Sequence, residues 1–463
     1  MEKSLWNYRI TPRVFKQNAM QTIEIEGLDD SYRFGDDVEY QVKILSRDGY
    51  SFKSEYTMPP KEGIYAASWD IFCVKSIDDV LKFQYKFDKE GLWYIHILCL
   101  EKIHYTPLRQ HYWPEENHER ELVFSVYVLS EAMYGILPYK GDMHLHTYGS
   151  DGSKSPALMA SKYRKYGFDF ISITDHYTME PSLEAIEKFK EIPTRFKLFP
   201  GEEVHHPLGG LYMFHVVNFN AKHSVNSLLQ ENLKEIEKEI ELRANELNSE
   251  IVDRADAVFT AWHEWVYKQI KAADGIAIYP HPYWEILETY NVRESATREV
   301  YKRGLCDVIE MFGGTDKVNN RMQAQLYYQM REEGYQYPIV ASSDAHSSVW
   351  DDHFSHLLAI VFAPGTDEIP GSIKTGKAVA IEALGSGEKN VYGQLPFVKF
   401  AWFLINEYYP RHDELCNAAG QAIERYVLGD KGQKMLVDLT EREVYKYEKS
   451  FFGYATKSEK DKS

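Results

Sequence analysis

The chain has 463 residues, 44% of them hydrophobic and 14% aromatic, with a formal charge of −17 and four cysteines. Its length is roughly that of three ordinary domains, and its apolar content suffices for a large core, which excludes a disordered chain. The negative charge, spread without long blocks of one sign, excludes a broad basic face for extended nucleic acid. Cys73, Cys99, Cys306 and Cys416 make no Cys-x-x-Cys pair, which speaks against a zinc ribbon or a disulfide framework.

In chain order, the first residues from Met1 to Tyr8 hold no apolar run of signal-peptide length, and no later stretch reaches the roughly 20 apolar residues that span a bilayer. A cytoplasmic location with no membrane partner is expected. Between about residues 20 and 130, segments such as Val38 to Val42 and Leu92 to Ile97 alternate apolar and polar residues between Gly, Asp and Lys turns. This period of two predicts antiparallel strands, and a small β-sandwich-like module is expected over 1–135. His104, His111 and His118 fall in polar, loop-like sequence and are read as surface residues.

After Pro138 the rhythm becomes strand, loop, helix. Apolar runs at Tyr139 to His144, Phe168 to Asp175, Phe196 to Val204, Leu211 to Phe219, Gly275 to His281, Asp307 to Phe312 and Pro338 to Ser343 give seven predicted strands, and His356 to Ala363 adds another. Ser155-Pro156 opens a helix that Gly167 ends, and Leu229, Leu233, Ile236 and Ile240 mark one face of an amphipathic helix. Strands alternating with helices predict an α/β fold with a parallel sheet or closed barrel over 136–395. Phe397 to Tyr409 and Glu414 to Leu428 read as helices of a C-terminal extension over 396–463, with a charged, disordered tail from Lys457.

The predicted strands end in titratable residues. In Gly141 to Gly152, His144 and His146 are two apart, so they project from one face and can share an ion; Asp151 follows in the loop before the helix. Taken alone the pair is equally a structural one. Ile171 to His176 is an apolar strand that stops in Asp175-His176, where packing gives no reason for charge; Asp175 serves either as a ligand or as the partner of an imidazole. Gly201-Glu202-Glu203 places a carboxylate between imidazoles, suited to bridging two ions, and Glu202 competes with Glu203 for that role. His215 in Phe214 to Val217 reads equally as a core histidine. His281, between Pro280 and Pro282, is expected to be extended, and Asp344 and His346 repeat the spacing of two at a strand end. Each motif is ordinary; their conjunction at so many strand ends is not.

His-x-His-Thr-x-x-Ser-Asp-Gly, Thr-Asp-His, Gly-x-Glu, His-Pro and Ser-Asp-Ala-His, in this order, resemble the PHP (polymerase and histidinol phosphatase) superfamily over about residues 139–365. The resemblance implies a distorted, TIM-like (β/α)7 barrel with about two to three divalent ions (zinc, manganese or iron) at the strand C-termini. It places His144, His146, Glu203 and Asp344 on one ion, Glu203 with His215 and His281 on a second, and Asp151, His176 and His346 on a third. The Gly-x-Glu spacing selects Glu203 over Glu202, and Glu203, Asp151, His176 and Asp344 are read as catalytic as well as ligating. Asp151 stands where some relatives carry histidine, and its carboxylate, the harder donor, favours manganese or iron over zinc.

The implied activity is hydrolysis of a small, anionic phosphorylated metabolite or nucleotide by a metal-activated hydroxide. A β module before such a barrel also resembles the branch containing carbaryl-type carbamate hydrolases, which brings carboxyl-type esters in as an alternative substrate class. A non-catalytic metal-containing binding protein is the third reading, disfavoured by the complete ligand set. His205 and His206 are read as loop histidines at the cleft mouth, Tyr148, Tyr177 and Trp284 as an aromatic pocket, Glu310 as a supporting acid, and Lys154 as solvated.

Overall fold

The computed structural model of the chain describes residues 7–29, 32–48, 70–99, 121–206, 214–286, 288–347, 356–383 and 387–454. His104, His111, His118 and the tail from Lys457 lie outside them. The protein is a mixed α/β chain with a helical C-terminus, and it divides into two compact units: Met1–Gly135 with Lys446–Ser463, and Ile136–Tyr445.

The first unit carries β1 (Tyr8–Thr11), β2 (Val14–Lys16), β3 (Met20–Gly27), β4 (Glu39–Ser46), β5 (Asp70–Lys75), β6 (Val80–Lys86), β7 (Gly91–Cys99) and β8 (Glu121–Leu129). They form two sheets, β1-β3-β6 and β2-β8-β7-β4-β5, antiparallel except for β2 against β8. The period of two sends Ile23 and Ile25 of one sheet and Val42, Ile44, Ile95 and Val126 of the other into one apolar cluster with Phe15, Phe87 and Trp93. Each such side chain contributes about 1.5–3 kcal/mol on leaving water, and this shared cluster is what holds the strands in register.

In the second unit the chain runs β9 (Leu137–Asp142), α1 (Pro156–Lys165), β10 (Phe170–Ser172), α2 (Glu180–Phe189), β11 (Lys197–Phe199), β12 (Gly201–His205), β13 (His215–Phe219), α3 (Val225–Leu247), α4 (Arg254–Ala272) and β14 (Ile276–Tyr279). A small hairpin, β15 (Glu285–Ile286) and β16 (Thr289–Tyr290), follows, then α5 (Glu294–Arg303), β17 (Val308–Phe312), α6 (Lys317–Glu332), β18 (Ile339–Ala341) and β19 (Leu357–Ala363). The last elements are α7 (Ile369–Lys374), β20 (Ala378–Ala383), β21 (Lys389–Gly393), α8 (Leu395–Glu407), α9 (Tyr409–Val427) and α10 (Lys434–Phe452).

Local chemistry explains the boundaries. Pro156 occupies the first turn of α1, where a missing N–H costs nothing, and Gly167 beyond its end takes a φ of +81°. The Asp253 and Asp316 side chains accept from two backbone N–H groups each at the starts of α4 and α6. Strands β9, β10, β12, β14, β17 and β18 are buried along their whole length, which is why they read as continuous apolar runs.

These strands lie in two sheets, ordered β11-β10-β9-β19-β20-β21 and β12-β13-β14-β17-β18. Beyond β9, Leu145 bridges to Ala345 beyond β18, and beyond β10, His176 bridges to Glu203 of β12, so both ends of the second sheet are linked to the first. The expected strand from Phe196 to Val204 is two strands in different sheets, because Pro200 between them has no N–H to continue a ladder. The sheets are also mixed rather than parallel. No helix is described between β12 and β13, which pair antiparallel, and the helix pair α3 and α4 carries the chain out and back so that β14 opposes β13.

The stretch from 396, expected as a separate extension, is divided between the units: α8, α9 and α10 up to Tyr445 belong to the second, and the chain from Lys446 to the first. The helix α9 begins at Tyr409, five residues before the expected start, with Pro410 in its first turn, and α10 had no sequence prediction. Two contacts fix these helices on α1. Gly420 lets α9 approach so closely that a Cβ there would lie 2.3 Å from the Lys165 backbone. Arg164, 2% exposed, donates through Nε and Nη2 to the two Glu441 carboxylate oxygens at 2.9 and 2.8 Å. Without Glu441 the buried guanidinium keeps only the Asp169 carboxylate at 3.2 Å and the Phe168 carbonyl at 3.0 Å, so Glu441→Ala is expected to lower stability by about 3 kcal/mol, the lower end for a broken buried pair, in urea unfolding. A loss below about 1 kcal/mol, the level of a surface pair, would show that α10 is not anchored this way.

Candidate metal centre

The geometry begins with two backbone ladders at the strand ends. Asp344 N–H donates to the His144 carbonyl at 2.8 Å and His146 N–H to the Ala345 carbonyl at 2.8 Å, so the His-x-His and Asp-x-His segments lie side by side. Asp142 pins both: its carboxylate accepts from the backbone N–H groups of His144 and Ser343 at 3.2 and 3.1 Å and from the Tyr163 hydroxyl at 2.8 Å. A second ladder, Thr174 N–H to the Leu145 carbonyl at 2.9 Å and Glu203 N–H to the Thr174 carbonyl at 3.1 Å, sets Glu203 beside them. Side chains two apart therefore converge from three segments.

Glu203 is fully buried at the middle of this cluster. Its Oε1 lies 2.8 Å from His215 Nδ1 and 3.5 Å from His281 Nε2. Its Oε2 lies 2.9 Å from His176 Nδ1, 3.2 Å from His144 Nε2 and 3.5 Å from His146 Nε2. Asp344 Oδ1 is 2.8 Å from His146 Nε2 and 3.3 Å from His144 Nε2. Asp151, at the more exposed edge, reaches His346 Nε2 at 3.3 Å and His176 Nε2 at 3.5 Å.

All nine residues singled out in the sequence are thus brought together, in groups that could each hold an ion: His144, His146, Glu203 and Asp344; Glu203, His215 and His281; and His146, Asp151, His176 and His346. The donor set fits divalent cations on a direct observation. His144 Nε2, His146 Nδ1, His176 Nδ1, His215 Nε2 and Glu203 Oε2 are enclosed by protein yet make no hydrogen bond. A buried polar atom left unpaired costs about 1–3 kcal/mol, and so many aimed into one volume are explained by ions accepting their lone pairs.

Charge tells the same story. Burial alone would raise the Glu203 carboxyl, but the imidazoles of His144, His205, His176 and His215 outweigh it and hold it well below the usual range. Burial likewise opposes ionisation of Asp344, and His144 and His146 reverse it. In return, Glu203 and Asp151 overcome burial to push His176 up to about 10, and Asp151 and Asp344 do so at His346, up to about 9. Without ions, protons on these rings balance the carboxylates, and cations would displace them.

The surrounding residues orient the donors. His144 Nδ1 pairs with the fully buried Glu310 Oε2 at 3.1 Å, leaving Nε2 for the cluster, and His346 Nδ1 donates to the Asp344 carbonyl at 2.8 Å. Asp175 is the partner of a loop, not of an imidazole: it accepts from Thr147 N–H at 2.8 Å and from the Thr147 and Ser150 hydroxyls at 2.6 Å, bracing the turn that carries Asp151. Glu202 faces away and caps α3, accepting from Val225 N–H and the Ser224 hydroxyl at 2.6 Å. Three non-glycine residues here have positive φ, at +21° for His281, +53° for Asp344 and +63° for Tyr177, a strain commonly stored at functional sites. For His281 this corrects the extended backbone expected from its flanking prolines; the turn at the end of β14 overrides the preference that Pro282 imposes.

Tyr148 and Tyr177 are exposed, and the Trp284 ring is centred 5.5 Å from His215 and 5.9 Å from His281, so aromatic surface borders the cluster. The residue that sequence reasoning missed is His205. It is buried on β12 with Nε2 3.3 Å from Glu203 Oε2, and with Glu203 and His176 it forms a further group able to hold an ion. The available signal was the period of two from Glu203 along the strand. His206, its neighbour, instead packs on the Trp262 ring at 4.8 Å.

No family model and no curated relative matches the chain. Solved structures resemble it at low identity. A two-domain protein from Bacteroides vulgatus containing a predicted PHP-like metal-dependent phosphoesterase shares 16% identity over 53% of this chain, which spans 65% of that protein's length, at a TM-score of 0.37. A proposed metal-dependent phosphoesterase from Bifidobacterium adolescentis shares 18% over 44% of this chain and 87% of its own, at 0.32. An amidohydrolase from Chromobacterium violaceum, with bound sulfate, shares 16% over 46% and 89%, at 0.31. Similarity at this level carries neither residue roles nor an activity to this chain.

Proposed function

We propose that the chain is a metal-dependent hydrolase of the PHP type, acting on a small phosphoester at a centre of about two to three divalent ions. One observation carries this reading: unpaired, enclosed imidazole nitrogens surround a buried carboxylate, Glu203, whose two oxygens face different histidines. We read the strands β9, β10, β12, β13, β14, β17 and β18, ringed through the two single bridges, as a distorted (β/α)7 barrel, and the first unit as a β-sandwich module. Among the described residues no helix is long and apolar enough to cross a membrane.

Bound divalent ions act as Lewis acids and lower the pKa of water toward neutrality. The protein's part is to fix the donors. Glu203 would be shared by two ions, with His144, His146 and Asp344 on the side of Oε2 and His215 and His281 on the side of Oε1, while Asp151, His176 and His346 would hold the most accessible ion. Tyr148, Tyr177 and Trp284 offer a border for a nucleotide base or aryl group. A phosphate brings several anionic oxygens that such a charge cluster neutralises, whereas a carbamate or ester carbonyl offers one acceptor, so phosphoester cleavage is favoured.

The test is a hydrolysis panel of phosphate esters, aryl esters and carbamates, run with manganese, iron and zinc. Phosphate release is expected; cleavage of carbamates or aryl esters with no phosphate released from any phosphoester would replace the proposed substrate class. Asp151→Ala and His346→Ala are each expected to lose one metal equivalent by elemental analysis and to lower phosphatase activity at least about a hundredfold, while Glu203→Gln loses all hydrolysis. Because Glu310 pairs with His144 Nδ1 and belongs to none of the groups able to hold an ion, Glu310→Gln should keep the metal count but weaken affinity by about 10–100-fold in chelator competition. Unchanged affinity would remove Glu310 from the account.

A further inference from the structure

We infer that His205 is an additional metal ligand, holding with Glu203 and His176 an ion that the family-type set of nine does not fully account for; this rests on the metal-centre reading above. The strand β12 places it there. Val204 turns into the apolar core while Glu203 and His205, two apart, face the cluster together. His205 is 7% exposed, and its Nε2 is enclosed without a hydrogen-bond partner. That nitrogen is 3.3 Å from Glu203 Oε2, itself unpaired, and the ring is centred 4.2 Å from His176 and 3.9 Å from His215.

Packing alone does not explain the arrangement. A histidine retained for packing would turn its polar atoms to water or to a hydrogen bond, as the His205 backbone N–H does toward Asn226 Oδ1 at 3.3 Å. Four imidazoles, those of His144, His146, His176 and His205, crowded within 3.5 Å of one carboxylate oxygen are instead the disposition of donors about a cation. The consequence is selectivity. Asp151 brings a carboxylate oxygen to the accessible site, and an imidazole from His205 adds a further nitrogen donor beside His176, raising affinity for zinc and cobalt relative to manganese.

The experiment compares the wild-type full chain with His205→Ala, His205→Gln and His206→Ala by chelator competition with zinc, cobalt and manganese and by the visible absorption of the cobalt-loaded protein. Both His205 variants are expected to weaken binding of one zinc or cobalt equivalent at least about tenfold, to weaken manganese less, and to shift the cobalt bands. His206→Ala should match wild type. Far-UV circular dichroism in excess chelator checks that the variants share the metal-free fold, and Gln keeps a polar side chain of similar size should Ala not fold. Wild-type affinities and an unshifted cobalt spectrum in a folded His205 variant would overturn the assignment of His205 alone. A wild-type chain that binds no divalent ion would overturn the centre and His205 with it.

Discussion

A carboxylate removed from water has to be balanced by positive charge, and in this chain that constraint falls on Glu203. It is fully buried, and its two oxygens are approached by His215 and His281 on one side and by His144, His146, His176 and His205 on the other. The strand ends are held so that these groups meet: single bridges tie Leu145 to Ala345 and His176 to Glu203, and Asp142 locks the first and last metal-type motifs together. The architecture of the second unit is, in this sense, a means of bringing segments some two hundred residues apart to one carboxylate.

The supporting shell divides into groups that aim donors and groups that hold backbone. Glu310 sets the ring of His144, the Asp344 carbonyl sets that of His346, and Asp175 braces the turn before Asp151. Glu202, adjacent to the central carboxylate, is spent on the start of α3. Two neighbouring glutamates thus have unrelated tasks because a strand sends consecutive side chains to opposite faces. Away from the site, the Arg164–Glu441 pair and the glycine contact at Gly420 seat α9 and α10 on α1, the helix that follows the Asp151 loop.

Much of this was legible from residues. Apolar runs ending in Asp-His or Asp-x-His have no packing rationale, and the period of two puts His144 and His146 in one group able to hold an ion, whereas Asp344 and His346 fall in different groups that share His146. What the sequence obscured has physical causes. Pro200 hides a change of sheet inside one apolar run, and no composition signal tells that β12 and β13 pair without a described helix between them. His205 was passed over because it precedes His206 and a glycine-rich stretch that read as loop, although it continues the alternation from Glu203. The backbone of His281 shows local preference yielding to a tertiary demand, since its ring reaches the cluster from a φ of +21°. The helix α10 carries a buried stripe, Val437, Val444 and Phe451 at a spacing of seven, but the exposed Met435, Leu436 and Leu439 and the surrounding charged residues obscure it in the sequence.

The central claim is that these side chains are organised around several ions sharing Glu203, and crystallography with anomalous scattering tests it most directly. Crystals grown with zinc or manganese, measured on either side of the metal's absorption edge, should show at least two anomalous peaks flanking the two Glu203 carboxylate oxygens, within bonding distance of His144, His146, His215 and His281. A single peak remote from Glu203, or none in crystals where the side chains keep the positions described, would contradict it.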